Sequence, residues 1–485
     1  MNGTTIIGRQ AEIRILQQAL ESGKAEFIAL YGRRRVGKTF LIREFFKARI
    51  CFELIGVHRA QLHGQLKNFS ASLKKSMRLR VRPHEPVSWQ DAFLQLEEFL
   101  EATYPKNPAG KQVIFFDELP WMNTPRSNFI PALEHFWNSY ASLRKDLIVV
   151  VCGSAASWMI QKIVKAKGGL HNRLTRQIRL MPFTLKETEE FLVSKRIKLT
   201  RMQITELYMV MGGIPFYLDF AEPGLSAAQI IDKVCFSKDG PLREEFQKLF
   251  SSLFEESHWH NKIIELLSKK RSGISRSEIL QELAAPSGGF LTSLIEELEE
   301  SGFIDARIPF GKKKKKLVFK LSDEFSIFHF QWIRELGRRN PGPGYWLARL
   351  NSPRREAWSG YAFENICLKH ISRIKSALGI AMVETSEGSW ITRQNKETGM
   401  PGTQVDLLID RRDATINICE IKYSESPFTI NKKYAAELRL KREVFRKTTG
   451  TRKNVFLTMI TTFGLNENEY SRELIQSSLT IDDLF

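Results

Sequence analysis

Cysteine is scarce, with 5 in 485 residues, and Cys51, Cys152, Cys235, Cys367 and Cys419 are scattered without a CxxC pair. An odd, dispersed set excludes a disulfide framework and a cysteine-rich zinc site, and reads as buried thiols in a reducing cytoplasm. Long apolar runs are missing as well. The most apolar stretches, such as residues 147–151, fall far short of the ~20 residues that cross a bilayer, and the N-terminus has no signal-peptide core. Neither a membrane span nor export is expected. Low-complexity segments are few, and the 42% hydrophobic content is ordinary for folded chains, which excludes general disorder. At ~150 residues per domain the length suggests about three domains, each able to bury a core. Acidic residues are in deficit: 54 Asp and Glu face 73 Lys and Arg, a net charge of +19. The excess points to a polyanionic partner, nucleic acid first and an anionic membrane surface as the alternative. Charge alone licenses only a salt-sensitive attraction to phosphates.

The first part of the chain alternates strand-like runs (27–31, 113–116, 147–151) with helical stretches (11–20, 38–46, 89–100, 130–140), the pattern of an α/β fold with a parallel sheet. Residues 186–250 are mostly helical, broken by Gly212-Gly213-Ile214-Pro215. From about 258 to 321 come short helices and a basic hairpin. Asn340-Pro341-Gly342-Pro343-Gly344 reads as a linker, after which the α/β pattern returns. No internal repeat is present.

Gly32-Arg33-Arg34-Arg35-Val36-Gly37-Lys38-Thr39 matches GxxxxGKT between a strand and a helix, the context a phosphate-binding loop requires. The glycines let the backbone wrap a phosphate, and the helix N-terminus supplies unpaired N–H groups and partial positive charge. Lys38 is placed for the β- and γ-phosphates and Thr39 for Mg²⁺. Residues 113–118, an apolar strand ending in Asp117-Glu118, supply the partner acids. Asp117 would hold the hydrated Mg²⁺ and Glu118 would orient or deprotonate the attacking water; an N-terminal helix cap is the plain alternative. A third strand runs into Cys152-Gly153-Ser154, where Ser154 could sense the γ-phosphate or simply serve a turn.

On these residues the first 250 or so positions resemble AAA+/STAND-type P-loop ATPases, particularly the group called archaeal ATPases. Ile6-Ile7-Gly8-Arg9-Gln10-Ala11-Glu12 is similar to that family's N-terminal box, which lies against adenine, and Met211-Gly212-Gly213-Ile214-Pro215 to its lid motif, which implies a nucleotide contact at Pro215. The resemblance implies ATP and Mg²⁺ as cofactors. No sensor-2 arginine is evident, and Ser154 stands where asparagine is common in other AAA+ proteins. Slow, switch-like hydrolysis follows better than motor turnover. Arg173 could act in trans, which needs a homo-oligomer; a solvated or ion-paired arginine is the alternative.

Residues 261–267, 277–283 and 289–301 read as three short helices, with Ser275 and Glu278 spaced as a capping box, followed by strands at 305–309 and 317–321. The arrangement resembles a winged helix. Its wing tip would carry Lys312, Lys313, Lys314, Lys315 and Lys316, suited to DNA phosphates; a solvated lysine run and a protein-binding module are the alternatives.

In the last part a helix at 358–368 carries Glu364, and strands at 404–410 and 416–423 flank a turn. Period two puts Glu420 and Lys422 on one strand face, and a hairpin can bring Asp406 beside them. Converging carboxylates suit Mg²⁺ or Mn²⁺, with Glu364 as a further ligand; the metal would polarise a phosphodiester while Lys422 positions water. Asp406 with Glu420-Ile421-Lys422 resembles the PD-(D/E)XK nuclease superfamily, with Val405 in place of the usual proline, and 345–485 resembles the nuclease-like domain attached to archaeal ATPases. A charged sheet edge, or a degenerate nuclease fold that binds without cutting, are the alternatives. The expected division is a P-loop core (1–185), helical lid (186–250), winged helix (251–335) and restriction-endonuclease-like domain (345–485). Together these give an ATPase controlling a DNA-directed nuclease-like domain. The other readings are a STAND-type signalling ATPase whose last domain only binds, and a chaperone or remodeller without nucleic acid.

Overall fold

A computed structural model describes residues 6–77, 84–104, 110–154, 156–164, 172–254, 257–311, 317–337, 339, 341–392, 394 and 401–485. The run Lys312 to Lys316 lies outside the described residues. The chain separates into two compact units: residues 1–182 with 253–255 and 296–302, and residues 183–252, 256–295 and 303–485.

The first unit is built on five parallel strands: β1 (Glu26–Tyr31), β2 (Ile50–Ile55), β3 (Gln112–Asp117), β4 (Leu147–Gly153) and β5 (Arg176–Arg179), in the order β2-β3-β4-β1-β5. The runs in β1, β3 and β4 are apolar almost throughout because a parallel sheet is covered on both faces, and all seven residues of β4 are buried. Helices Trp89–Thr103 and Phe129–Ser139 cover one face. Phe93 stacks on Phe136 (5.0 Å between centroids) and meets Phe116 of β3 edge-on (5.9 Å). The expected strands and helices of this part are all present. Strands β2 and β5 and helix Leu62–Met77 are additions that the sequence pattern did not reveal.

The second unit opens with helices Leu185–Ser194 and Arg201–Met211, each begun by a capping box, from Thr184 to Glu187 and from Thr200 to Gln203. Helices Ser257–Lys269, Arg276–Leu283 and Gly288–Glu300 follow, the second capped by Ser275 and Glu278 as the spacing predicts. Strands β6 (Ile274–Ser275), β7 (Ile304–Arg307) and β8 (Val318–Leu321) form an antiparallel sheet in the order β6-β8-β7. A second five-stranded sheet ends the chain: β9 (Thr385–Thr392), β10 (Thr403–Arg411), β11 (Thr415–Lys422), β12 (Asn454–Thr461) and β13 (Ile475–Leu479), ordered β13-β12-β11-β10-β9. Its first three strands are antiparallel and the last two join in parallel, so helix Lys432–Thr449 crosses over from β11 to β12.

Of the expected linker at 340–344, Asn340 lies outside the described residues, and the end of the rest is held rather than free. Asp232 accepts the backbone N–H of Gly344 and of Trp346, both at 2.7 Å. The Trp346 ring, 2% exposed, stacks on Phe236 and meets Trp332 and Trp358 edge-on. Proline and glycine make the turn, but two charge-assisted hydrogen bonds and an aromatic cluster anchor it. The five cysteines are free and buried, as expected. Among the described residues no helix is long and apolar enough to cross a membrane.

Two buried histidines, His329 and His370, make folding acid-sensitive, and burial pushes the pKa of both down to about 4. His370 Nδ1 donates to the Ile366 carbonyl (2.8 Å) and its Nε2 accepts from the Leu185 N–H (3.1 Å), so the ring is held neutral. Because the unfolded ring protonates near pH 6.5, the stability contributed by the neutral form is present above that value. It is lost as pH falls toward 4, by on the order of 3 kcal/mol in the limit. Urea denaturation between pH 7 and 4.5 should show this slope, and His370→Gln should reduce it while His329 continues to contribute.

Candidate functional site

The phosphate-loop residues leave β1 at its C-terminal end. Gly32 has φ +145° and a Cβ there would sit 2.3 Å from the Leu180 carbonyl oxygen; Gly37, at φ +91°, turns the chain into helix Lys38–Phe46. Glycine is required at Gly32 by space and at Gly37 by conformation. Gly32, Arg33, Val36 and Lys38 are buried, and Arg34, Arg35, Gly37 and Thr39 are half-buried. Lys38 Nζ donates to the carbonyls of Gly32 (3.0 Å) and Arg33 (2.9 Å), so its ammonium stands inside the curve of the loop. Arg9 braces the loop from outside, donating to the carbonyls of Val36 (3.0 Å) and Met181 (2.6 Å).

The acids arrive from β3. Strand register aligns Tyr31 with Gly153 and Phe116 with Val151, so β1, β3 and β4 finish at one edge, where α/β sheets bind their ligands. Asp117, 3% exposed, accepts from Thr39 Oγ1 on Oδ2 (2.7 Å) and from the Glu118 N–H on Oδ1 (3.0 Å). Glu118 is left-handed (φ 49°), which turns its side chain toward Ser154; its Oε2 accepts from Ser154 Oγ (2.8 Å) and from the Ser154 N–H (3.3 Å). Lys38 to Ser154 are thus brought to one place, with hard oxygen donors at Thr39 and Asp117 that fit Mg²⁺. Burial, and after it the charge of Asp117, holds the neighbouring Cys152 thiol well above its ordinary pKa, so it stays protonated and inert.

Gly56 was not legible as part of this site. Its N–H donates to the Asp117 carbonyl (2.9 Å), and a Cβ on it would lie 2.5 Å from the Glu118 carbonyl oxygen. Pro215 belongs to the second unit, where it opens the short helix Pro215–Leu218 after two glycines packed on Phe183 and Glu324. Arg173 is exposed in a turn.

The second cluster lies on the C-terminal sheet. Leu407 pairs with Cys419 across β10 and β11, which sets Asp406 opposite Glu420 one step on. The register of β10 against β9 shifts between Val405 and Leu408, a bulge at the acid itself. Glu420, 3% exposed, takes Lys441 Nζ on Oε1 (2.5 Å) and the Tyr434 hydroxyl on Oε2 (3.3 Å). Lys422 Nζ lies 5.1 Å from the Tyr434 ring centre. Asp406 accepts from the Gln404 amide (3.0 Å), and Glu364 pairs with Lys320 at 3.6 Å. Burial, then the charge of Asp406, pushes the Glu364 carboxyl up, while Lys320 opposes; burial pushes Glu420 up against the pull of Lys441.

The expected metal set of Asp406, Glu420 and Glu364 is therefore not assembled. Among the described residues no three His, Cys, Asp or Glu side chains gather to hold a metal ion. The reason is electrostatic: lysines already occupy the outer carboxylates. Lys441 and Tyr434, seven apart on one helix, share a face, but nothing in the sequence says that this face meets β11.

Residues 6–220 match the model of an ATPase domain predominantly from Archaea. The chain therefore carries an archaeal-type ATPase domain, with a parallel-sheet α/β fold. An uncharacterised protein of Methanocaldococcus jannaschii is 25% identical over 329 residues, 67% of this chain and 68% of that relative. An uncharacterised ATP-binding protein of the same organism is 46% identical over 41 residues, 8% of this chain and 70% of the relative. Among solved structures, a Walker-type ATPase of Pyrococcus abyssi is similar with TM-score 0.48 and 17% identity, covering 67% of this chain and 96% of that one. The Aeropyrum pernix ORC2 protein gives TM-score 0.39 and 15% identity, covering 71% and 94%.

Gly56→Ala tests the packing behind the acids. The added methyl should displace the Glu118 backbone, cost about 1–3 kcal/mol in thermal unfolding, and slow ATP hydrolysis in the protein that remains folded.

Proposed function

We propose that this archaeal-type ATPase domain binds ATP with Mg²⁺ and hydrolyses it slowly, as a switch, and that the switch governs a C-terminal restriction-endonuclease-like domain that engages nucleic acid. The observation that carries the first half is the continuous chain from Thr39 through Asp117 and Glu118 to Ser154, set beside Lys38. In this reading Lys38 exchanges its two loop carbonyls for β- and γ-phosphate oxygens. The loop from Gly32 to Thr39 supplies backbone N–H groups. Thr39 and Asp117 hold Mg²⁺, which neutralises phosphate charge during transfer. Glu118 aligns and deprotonates water, and Ser154 acts through it as a positioning residue that keeps its carboxylate aimed.

The second half draws on connections inside the second unit. The family match runs to residue 220, past the end of the first unit at 182, and so reaches helices Leu185–Ser194 and Arg201–Met211. Glu206 on the latter pairs with Arg355 (2.6 Å) and accepts from the hydroxyl of Tyr423 (3.3 Å), the residue after Lys422. Arg355 also reaches Glu425 at 3.3 Å. A shift of the helical lid, 186–250 in this division, would be felt at the end of β11. Pro215 as a nucleotide contact, the winged helix over 251–335, the lysines from Lys312 to Lys316 as DNA contacts, and the nuclease-like character of 345–485 belong to the same reading. The net charge of +19 supports a nucleic-acid partner.

For the last domain, binding without cleavage is favoured over Mg²⁺- or Mn²⁺-dependent cutting by one observation, the Lys441 ammonium seated on Glu420.

Lys38→Ala should abolish ATP binding in equilibrium dialysis; retained tight binding removes the phosphate-loop assignment. Glu118→Gln should keep ATP binding and lower turnover by about 10²–10⁴. Replacing the five lysines from Lys312 to Lys316 by serine should flatten the salt dependence of DNA affinity, read as the slope of log K against log salt; an unchanged slope places the phosphate contacts elsewhere.

A further inference from the structure

The carboxylates of the C-terminal sheet are near enough to act on one another, but lysines are already paired with two of them. Three acids are present, Glu364, Asp406 and Glu420, and three lysines face them. Lys320 is 3.6 Å from Glu364 and Lys441 is 2.5 Å from Glu420, while Lys422, two residues along the same strand face, also acts on Glu420. Arg307 adds positive charge beside Glu364, though it is also bound to Asp305. The closest pair is well enclosed: the Glu420 side chain is 4% exposed and that of Lys441 18%. A divalent cation entering here would have to evict an ammonium from a desolvated carboxylate, and the evicted charge would remain next to the incoming one. The Tyr434 hydroxyl on Glu420 occupies the other carboxylate oxygen.

We propose that Lys441 stands in for a metal ion at Glu420, so that the charged face formed by Glu420, Lys422 and Lys441 holds a phosphodiester of nucleic acid without metal and without cutting it. Glu420 fixes Lys441, and the Tyr434 ring lies beneath Lys422. Both ammonium groups are thereby tied to the neighbourhood of Glu420, since Tyr434 also bonds that carboxylate. Two fixed lysines recognise a phosphate oxygen as point charges. Glu420 is bound at both oxygens and so is not free to activate water. The proposal rests on the nucleic-acid reading of this domain, and its two halves fail separately.

The experiment uses the full-length chain without nucleotide. Mn²⁺ binding is followed by electron paramagnetic resonance for the unaltered protein, Glu420→Gln, Lys441→Met and the double variant. The difference made by Glu420→Gln reports this face alone. The unaltered protein and Glu420→Gln should bind Mn²⁺ alike, and Lys441→Met should bind at least about tenfold more tightly than the double variant. Mn²⁺ binding by the unaltered protein that Glu420→Gln abolishes would overturn the proposal, as would a folded Lys441→Met that gains nothing. If Lys441→Met does not fold, the comparison of the unaltered protein with Glu420→Gln still decides. In parallel, fluorescence anisotropy with labelled duplex DNA should give the same affinity with EDTA as with Mg²⁺, weakened at least about threefold by Lys422→Gln. Binding that EDTA abolishes overturns metal independence. If no DNA binds under any condition, the phosphodiester half and the nucleic-acid reading fall together, while the Mn²⁺ comparison continues to judge Lys441.

Discussion

Asp117 carries two obligations at once, and the nucleotide site depends on both being met. One oxygen is committed to the Thr39 hydroxyl from the phosphate loop and the other to the Glu118 backbone. A buried carboxylate is costly unless its lone pairs are used, so the geometry that satisfies Asp117 also fixes the separation of β1 from β3 and the left-handed turn at Glu118. That turn places the Glu118 carboxylate against Ser154, at the end of β4. Three strands, distant in sequence, are held in one relation by a single acid. The same logic explains Gly56: its N–H is bonded to the Asp117 carbonyl, and any side chain there would push on the turn.

In the second unit, buried charges do comparable work over longer reach. Glu324, 1% exposed, takes Lys369 on one oxygen and lies within hydrogen-bond reach of the Asn365 amide at 3.3 Å on the other. It packs against Gly212 so closely that a Cβ would meet its carboxylate at 2.6 Å. The glycine pair that the sequence singles out as a lid turn is thus shaped by an acid more than a hundred residues away. Arg355 links Glu206, Glu425 and the loop carbonyl of Leu350. Breaking such pairs from one side leaves an uncompensated charge, which makes these contacts cooperative rather than additive.

Local chemistry was legible where local pattern determines the outcome. The strand–loop–helix around Lys38, the acids ending β3, the capping box at Ser275 and the hairpin of β10 with β11 all follow from spacing of a few residues. What stayed hidden depends on which faces meet in three dimensions. Strand β2 is flanked by no clear turn signal, and β5 is four residues with two arginines, so neither shows the apolar run of β4. Lys441 and Lys320 look like ordinary basic residues until helix Lys432–Thr449 and β8 are seen to bring them to Glu420 and Glu364. The sequence singles out the acids of the C-terminal sheet but not the lysines that pair with them. Segment 341–344 misled for the opposite reason: its composition describes the turn and says nothing of Asp232, which holds Gly344.

The clamp at Asp232 bears on how the chain can be divided. A fragment beginning at residue 345 would retain the sheet from β9 to β13 but lose Phe236, Phe328 and Trp332, the rings that surround Trp346 and Trp358. Two indoles would be left facing water on a surface made to be covered, an invitation to self-association. The proline- and glycine-rich stretch looks like a natural place to cut, yet a workable excision has to respect aromatic neighbours on both sides of it.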